Sequence, residues 1–282
     1  MIAWVLFSVK AALRLRRVRG GLLAGAFLLV AFVTIPANDV LAQCANPTIA
    51  NCTLTADPAA PFGIGNAVGV GHTVTVNDTI DITGAVTTDT VNQGTLTFSG
   101  NSTVTGAIGL TGARLRAING GAAGATVTLT GGDVFVVDMD FTSTGTISLG
   151  SATTVTNGID FAGSDGTLLV GAGVSIAGAI NNTGAAGGNV TFAGSSNVTG
   201  SLGAANVLGT LTLNGAATTA AVTGSIRADT LNLNGNSLTA STTFPLAGGA
   251  EIINATITSA TANGKVTATG NAIIPATTTL NI

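Results

Sequence analysis

Tyrosine is absent from this chain of 282 residues, and its one tryptophan is Trp4. Aromatic side chains make up 4% and charged ones 7%, which rules out both a core of large rings and a strongly basic surface for phosphate backbones. The only histidine is His72 and the only cysteines are Cys44 and Cys52, so a Cys/His metal centre lacks ligands. Past residue 43 no apolar run approaches the roughly 20 residues of a membrane-spanning helix. The missing tyrosines also argue against a transmembrane barrel, which carries aromatic girdles at both interfaces.

What the chain has is glycine, 40 of them, among many Thr, Ala, Val and Asn residues. Small β-branched side chains fit a pleated, half-buried surface, so a core can still be built by stacking them in register. One phrase recurs: a Thr or Asn, an apolar residue, a polar one, a second apolar one, then a turn with glycine. It stands at Thr126–Leu129, Thr146–Leu149, Thr167–Val170, Asn189–Phe192, Thr210–Leu213 and Thr230–Leu233. Self-similarity at such a period, roughly 20 to 22 residues, marks a repeat architecture. A seventh copy, Thr95–Phe98, lies one and a half periods before Thr126, which predicts an insertion over 114–124. Gly94–Gly109 (GTLTFSGNSTVTGAIG) and Gly188–Gly203 (GNVTFAGSSNVTGSLG) align over 16 positions without a gap.

Alternating apolar and polar residues, broken every few positions by Gly, Asn or Ser, are the period-2 signature of strands with one buried face. No helical periodicity follows residue 42. The expected fold is all-β, a parallel β-helix or β-solenoid with about 20–22 residues per coil. Its inward core ladder is Val127, Ile147, Leu168, Val190, Leu211 and Leu231. One coil buries three to six apolar side chains at roughly 1.5–3 kcal/mol each. Ordering its backbone costs about 1–2 kcal/mol per residue, so no coil folds alone. Stacked at about 4.8 Å, some eleven coils make a rod roughly 50 Å long.

Residues 1–42 read as an export signal. Lys10, Arg14, Arg16, Arg17 and Arg19 precede an apolar stretch, Gly21–Ile35, and Val40-Leu41-Ala42 offers a cleavage site. An uncleaved anchor helix and a lipidated Cys44 are the alternatives. This stretch holds five of the nine basic residues and one of the twelve acidic ones. Residues 43–282 therefore carry four basic side chains against eleven acidic, a net of −7, which disfavours nucleic acid as a partner. In an exported chain Cys44 and Cys52 most simply form a disulfide. It would close a cap over the first coil. The organisation expected is a signal peptide over 1–42, a cap and lead-in over 43–71, and a solenoid over 72–282.

The phrases at 188–203 and 209–226, with the closing AEIINATITSATANGKVTA of 250–268, resemble the passenger repeats of rickettsial-type surface-antigen autotransporters. The start, Gln43-Cys44 with Cys52 soon after, is similar to the mature N-termini of many alphaproteobacterial autotransporters. The resemblance implies a right-handed β-helix carried to the cell surface, acting in adhesion to a host or neighbouring cell or as a protein coat. It also implies attachment to the outer membrane through a translocator barrel not present in this chain.

Candidate site residues are few. Asp138 and Asp140, with Asp133 nearby, offer hard oxygen ligands for Ca²⁺, against a reading as solvated strand-end carboxylates. Asp160 and Asp165 suggest a carboxylate pair such as polysaccharide-cleaving enzymes use, though no basic or histidine partner stands beside them. His72 reads as an edge residue, and Arg114 and Arg116 as a solvated loop. No cofactor and no enzymatic activity are expected. The pairs Thr95/Thr97, Thr126/Thr128 and Thr210/Thr212 suggest an outward threonine array resembling ice-binding solenoids, interrupted by Ser148, Leu169, Asn189 and Asn232. The main expectation is an exported surface rod, adhesive or structural; the alternative is a self-associating coat or matrix protein.

Overall fold

A computed structural model describes residues 51–240, apart from breaks at 59–60, 65, 68–69, 89, 186 and 216–217. Beyond 240 it describes the segments 244–245, 252–254, 265–268, 272–273 and 279–281. The chain divides into Met1–Pro36 and Ala37–Ile282. The first unit, the rest of the export-signal stretch and Cys44 lie outside the described residues.

Among the described residues there is no helix. Strands alternate between two sheets as the chain advances. The larger has 12 strands. Its order is Cys52–Leu54, Thr73–Val76, Gln93–Phe98, Leu115–Gly120, Val134–Phe141, Thr153–Asp160, Ser175–Ala177, Ser196–Thr199, Thr219–Val222, Ser237–Ala240 and Lys265–Ala268. Ile180–Asn181 joins it beside the second half of Thr153–Asp160. The smaller has nine strands, from Ser102–Val104 through Thr126–Leu129, Thr146–Leu149, Thr167–Val170, Gly187–Phe192, Leu208–Leu213, Ala228–Asn232 and Ile252–Asn254 to Thr279–Asn281. Every rung-to-rung pairing in both sheets is parallel, so the protein is a parallel β-solenoid.

Register follows the repeat. In the smaller sheet Val127 pairs with Ile147, then in turn Leu168, Val190, Leu211 and Leu231, and none of the six is more than 2% exposed. Two residues along, Leu129, Leu149, Val170, Phe192 and Leu213 form the second inward column. The larger sheet faces them with Cys52, Val74, Leu96, Ile118, Met139, Ile159 and Ile180, prolonged by bridges to Leu202 and Ile226. These columns meet in one core. Each inward side chain packs on those of the rungs above and below it, as the estimate for a single coil requires.

Two features depart from the sequence reading. Thr95–Phe98 does not belong to the ladder of Thr126–Leu129: it lies in the larger sheet, with Leu96 paired to Val74 and Ile118. The rung before Thr126–Leu129 is Ser102–Val104. Residues 114–124 are therefore no insertion, since 115–120 form a regular strand of the larger sheet. The extra half period is a change of sheet. Secondly, the stack already includes Cys52–Leu54, paired to Thr73–Val76, and Phe62–Ile64, paired to Val86–Thr88, inside the stretch read as lead-in.

Corners are built from glycine and asparagine. Phe141 and Phe161 stack with ring centroids 4.4 Å apart, each nearly or fully buried. Gly121 (φ +73°) and Gly188 (φ +78°) pass beside these rings, and a Cβ on Gly121 would stand 2.7 Å from Phe141 Cδ1. Asn182, fully buried, closes its turn by accepting from Gly163 N (2.7 Å) and Gly184 N (3.2 Å). Its amide donates to the carbonyls of Ala185 (2.5 Å) and Gly187 (3.3 Å). Asn236 does the same a few coils on, accepting from Thr218 N and donating to Leu213 and Asn234 carbonyls. Buried backbone groups of a corner need such partners, because water cannot reach them.

Candidate functional surfaces

Parallel in-register stacking turns each outward position into a column with one side chain per rung. On the larger sheet one such column runs Thr53, Thr75, Thr97, Asn119, Asp140, Asp160 and Asn181. Asp140 and Asp160 are thus stacked neighbours, about 4.8 Å apart in strand spacing, between two asparagines. Asp138 lies two residues before Asp140 on the same strand and in the same register, just past a register shift between Val136 and Asp138.

The carboxylates differ in their bonding. Asp160 accepts from Ala162 N (2.9 Å), Thr183 N (2.9 Å) and Thr183 Oγ1 (2.5 Å). Asp138 accepts from Asn157 Nδ2 at 2.8 Å. Asp140 stands half-buried between them. Burial, then the charges of Asp138 and Asp160, push its carboxyl up from 3.8 to about 6. Within this acidic grouping Asp140 gains its charge around pH 6, later than an ordinary carboxyl.

The other candidates are dispersed. Asp133 lies in the turn before Val134, and its carbonyl accepts from Ile108 N. The backbone carbonyl of Asp165 accepts from Asn189 Nδ2, while the Asp160 carboxylate is tied to Thr183. His72 precedes the strand Thr73–Val76, and its carbonyl accepts from Thr95 N. Arg114 donates through Nη1 to Thr156 Oγ1, two rungs on, and Arg116 projects outward from the strand Leu115–Gly120. Among the described residues no three His, Cys, Asp or Glu side chains gather as a metal-ligand set. Cys52 is disulfide-bonded, at the start of the larger sheet's inward column. The chain's other cysteine is Cys44.

The smaller sheet presents a different outward face. One column reads Thr126, Thr146, Thr167, Asn189, Thr210, Thr230, and its neighbour reads Thr103, Thr128, Ser148, Leu169, Thr191, Thr212, Asn232. The threonine pair Thr95/Thr97 belongs to the opposite face, whereas Thr191 continues this one. Threonines at corners spend their hydroxyls on the backbone, as Thr142 does on Gly120 and Thr153 on Ser151. Those of Thr126, Thr146, Thr167, Thr191, Thr210 and Thr230 bond to no protein group among the described residues.

Comparison with protein-family models, with characterised proteins and with solved structures found no match to this chain.

Proposed function

We propose that the chain is an exported surface β-solenoid, the passenger part of an autotransporter, acting in adhesion or as surface structure. The observation that carries this reading is the rod itself, whose solvent-facing chemistry is arranged as lateral columns many coils long. Its large flat sides suit binding along a length rather than the enclosure of a small substrate. The export-signal composition of residues 1–42, the disulfide-bonded Cys52 and the acidic balance of residues 43–282 support the same reading.

Two measurements on producing cells test it. N-terminal sequencing of the mature protein is expected to start at Gln43, and external protease is expected to remove the rod from intact cells. A chain that keeps residues 1–42 in the cytoplasm overturns the proposal. If the rod is exposed, a deletion strain that adheres to host or neighbouring cells as well as its parent removes the adhesive role and leaves the structural one.

A further inference from the structure

Glycine follows asparagine at 119, 157, 214, 234 and 263, and Asn263-Gly264 lies outside the described residues. Such a pair carries its own chemistry. With no Cβ on the second residue, its main-chain nitrogen can reach the asparagine side-chain carbonyl carbon and displace ammonia. A folded chain holds the reaction back in two ways: a hydrogen bond that fixes the amide, and a ladder that holds the glycine backbone in place.

Three of the four described pairs are held. Asn119 donates through Nδ2 to Thr97 Oγ1 (3.3 Å), and Gly120 stands in ladder register with Phe141. Asn157 donates to Asp138 Oδ1 (2.8 Å), and Gly158 stands in register with Asp138. A carboxylate made at 157 would also face that of Asp138. Asn234 donates through Nδ2 to the Leu213 carbonyl (3.0 Å).

Asn214 stands one coil before Asn234, and its surroundings differ. The equivalent carbonyl, that of Phe192, takes the Asn214 main-chain N–H at 2.7 Å. The Asn214 side-chain amide and the Gly215 N–H bond to no protein group among the described residues. Both residues are exposed, just past the strand Leu208–Leu213. Gly215, at φ +133°, has no side chain to crowd the approach.

We propose that Asn214 is a site of spontaneous modification, converting to aspartate and isoaspartate ahead of the other described Asn-Gly pairs. Solvent hydroxide removes the Gly215 N–H proton and the nitrogen bonds to Asn214 Cγ. The Cγ–Nδ2 bond breaks, and ammonia leaves with a proton taken from water. Water then opens the imide ring at either carbonyl. One opening gives aspartate; the other gives isoaspartate, whose main chain runs through the side-chain carbon. Either product adds a negative charge to an acidic rod. Isoaspartate also lengthens the corner between the strands Leu208–Leu213 and Thr219–Val222. This chemistry needs only water and is the same wherever the rod resides.

Incubation of the full folded chain in heavy-oxygen water at mildly alkaline pH tests the site, with the position of each heavy oxygen read by fragmentation mass spectrometry. Asn214 is expected to take up label about tenfold faster than Asn119, Asn157 or Asn234, the scale of one or two net hydrogen bonds. In urea, where ladder and side-chain bonds are gone, the four positions should label at similar rates. Asn214→Gln, whose longer side chain must close a larger ring, should remove the fast uptake and leave the slow ones as they were. Folded protein in which Asn119, Asn157 or Asn234 keeps pace with Asn214 overturns the proposal, as does an Asn214 that stays unlabelled while the chain in urea converts. A lead for Asn214 that persists in urea also overturns it, because neighbouring sequence and not the fold then sets the order.

Discussion

Gly188 shows how narrow the choice of residue is at a corner of this rod. Its φ of +78° is a conformation that side-chain-bearing residues rarely adopt, and an added Cβ would run into the Phe161 ring. Gly188→Ala is expected to cost about 1–3 kcal/mol, measured by urea unfolding with the m-value unchanged. Ala at 209, where an added Cβ meets nothing closer than 3.4 Å, is the matched control and should lie within about 0.5 kcal/mol of the parent. Asp140 makes a prediction of the other sign. Its carboxyl titrates at about 6 in the folded rod against 3.8 when unfolded, so the charge is disfavoured by folding. The folded state loses stability as pH rises from about 4 to about 6, and the loss is complete above that window. Asp140→Asn should raise the melting temperature at pH 7.5, leave it little changed at pH 3.5, and flatten the profile between them. Asp160→Asn, which can keep an oxygen for Ala162 N and Thr183 N but puts an NH2 group where an oxygen accepts from Thr183 Oγ1, should not reproduce the gain.

Strands of this protein are short, and alternation of side chains, more than strand length, decides which way each residue points. Val190 is fully buried between Leu168 and Leu211, while the adjacent Thr191 faces out between Leu169 and Thr212. Val190→Asp, which buries an unpaired charge, is expected to cost about 3–5 kcal/mol and to open the neighbouring coils to protease. Thr191→Asp should leave the digestion pattern unchanged. The same alternation explains what could be read before the structure. The inward ladder from Val127 to Leu231 was legible because its phrase returns once per coil without a break. Which sheet a phrase occupies was not. Gly94–Gly109 and Gly188–Gly203 align without a gap and share the same pattern, yet Leu96 lies in the larger sheet and Val190 in the smaller. Both sheets ask for the same inward-outward pattern, so local sequence cannot tell them apart; only the count of corners does. The acidic column was missed for a related reason. Asn119, Asp140, Asp160 and Asn181 each stand one coil beyond the last, and that regular spacing was the available signal. It was obscured because Asp160 was matched with the nearby Asp165 and not with a residue one coil away.

At the scale of the solenoid each rung pairs in its sheet only with its neighbours, so stability is close to a sum along the stack and ends open before the middle. Cys52 sits under the first inward column, where a disulfide removes freedom from the unfolded end. Cys52→Ser is expected to cost about 2–3 kcal/mol. By hydrogen exchange, protection should fall over 52–98 and stay as before over 146–213.

Between Val127 and Leu231 the chain advances by one strand spacing per coil. It therefore spends about four residues per ångström of reach, against about 0.3 for an extended strand. Such a chain is a ruler: duplicating one coil in the gene lengthens the rod by about 4.8 Å and leaves the chemistry of every existing rung as it was.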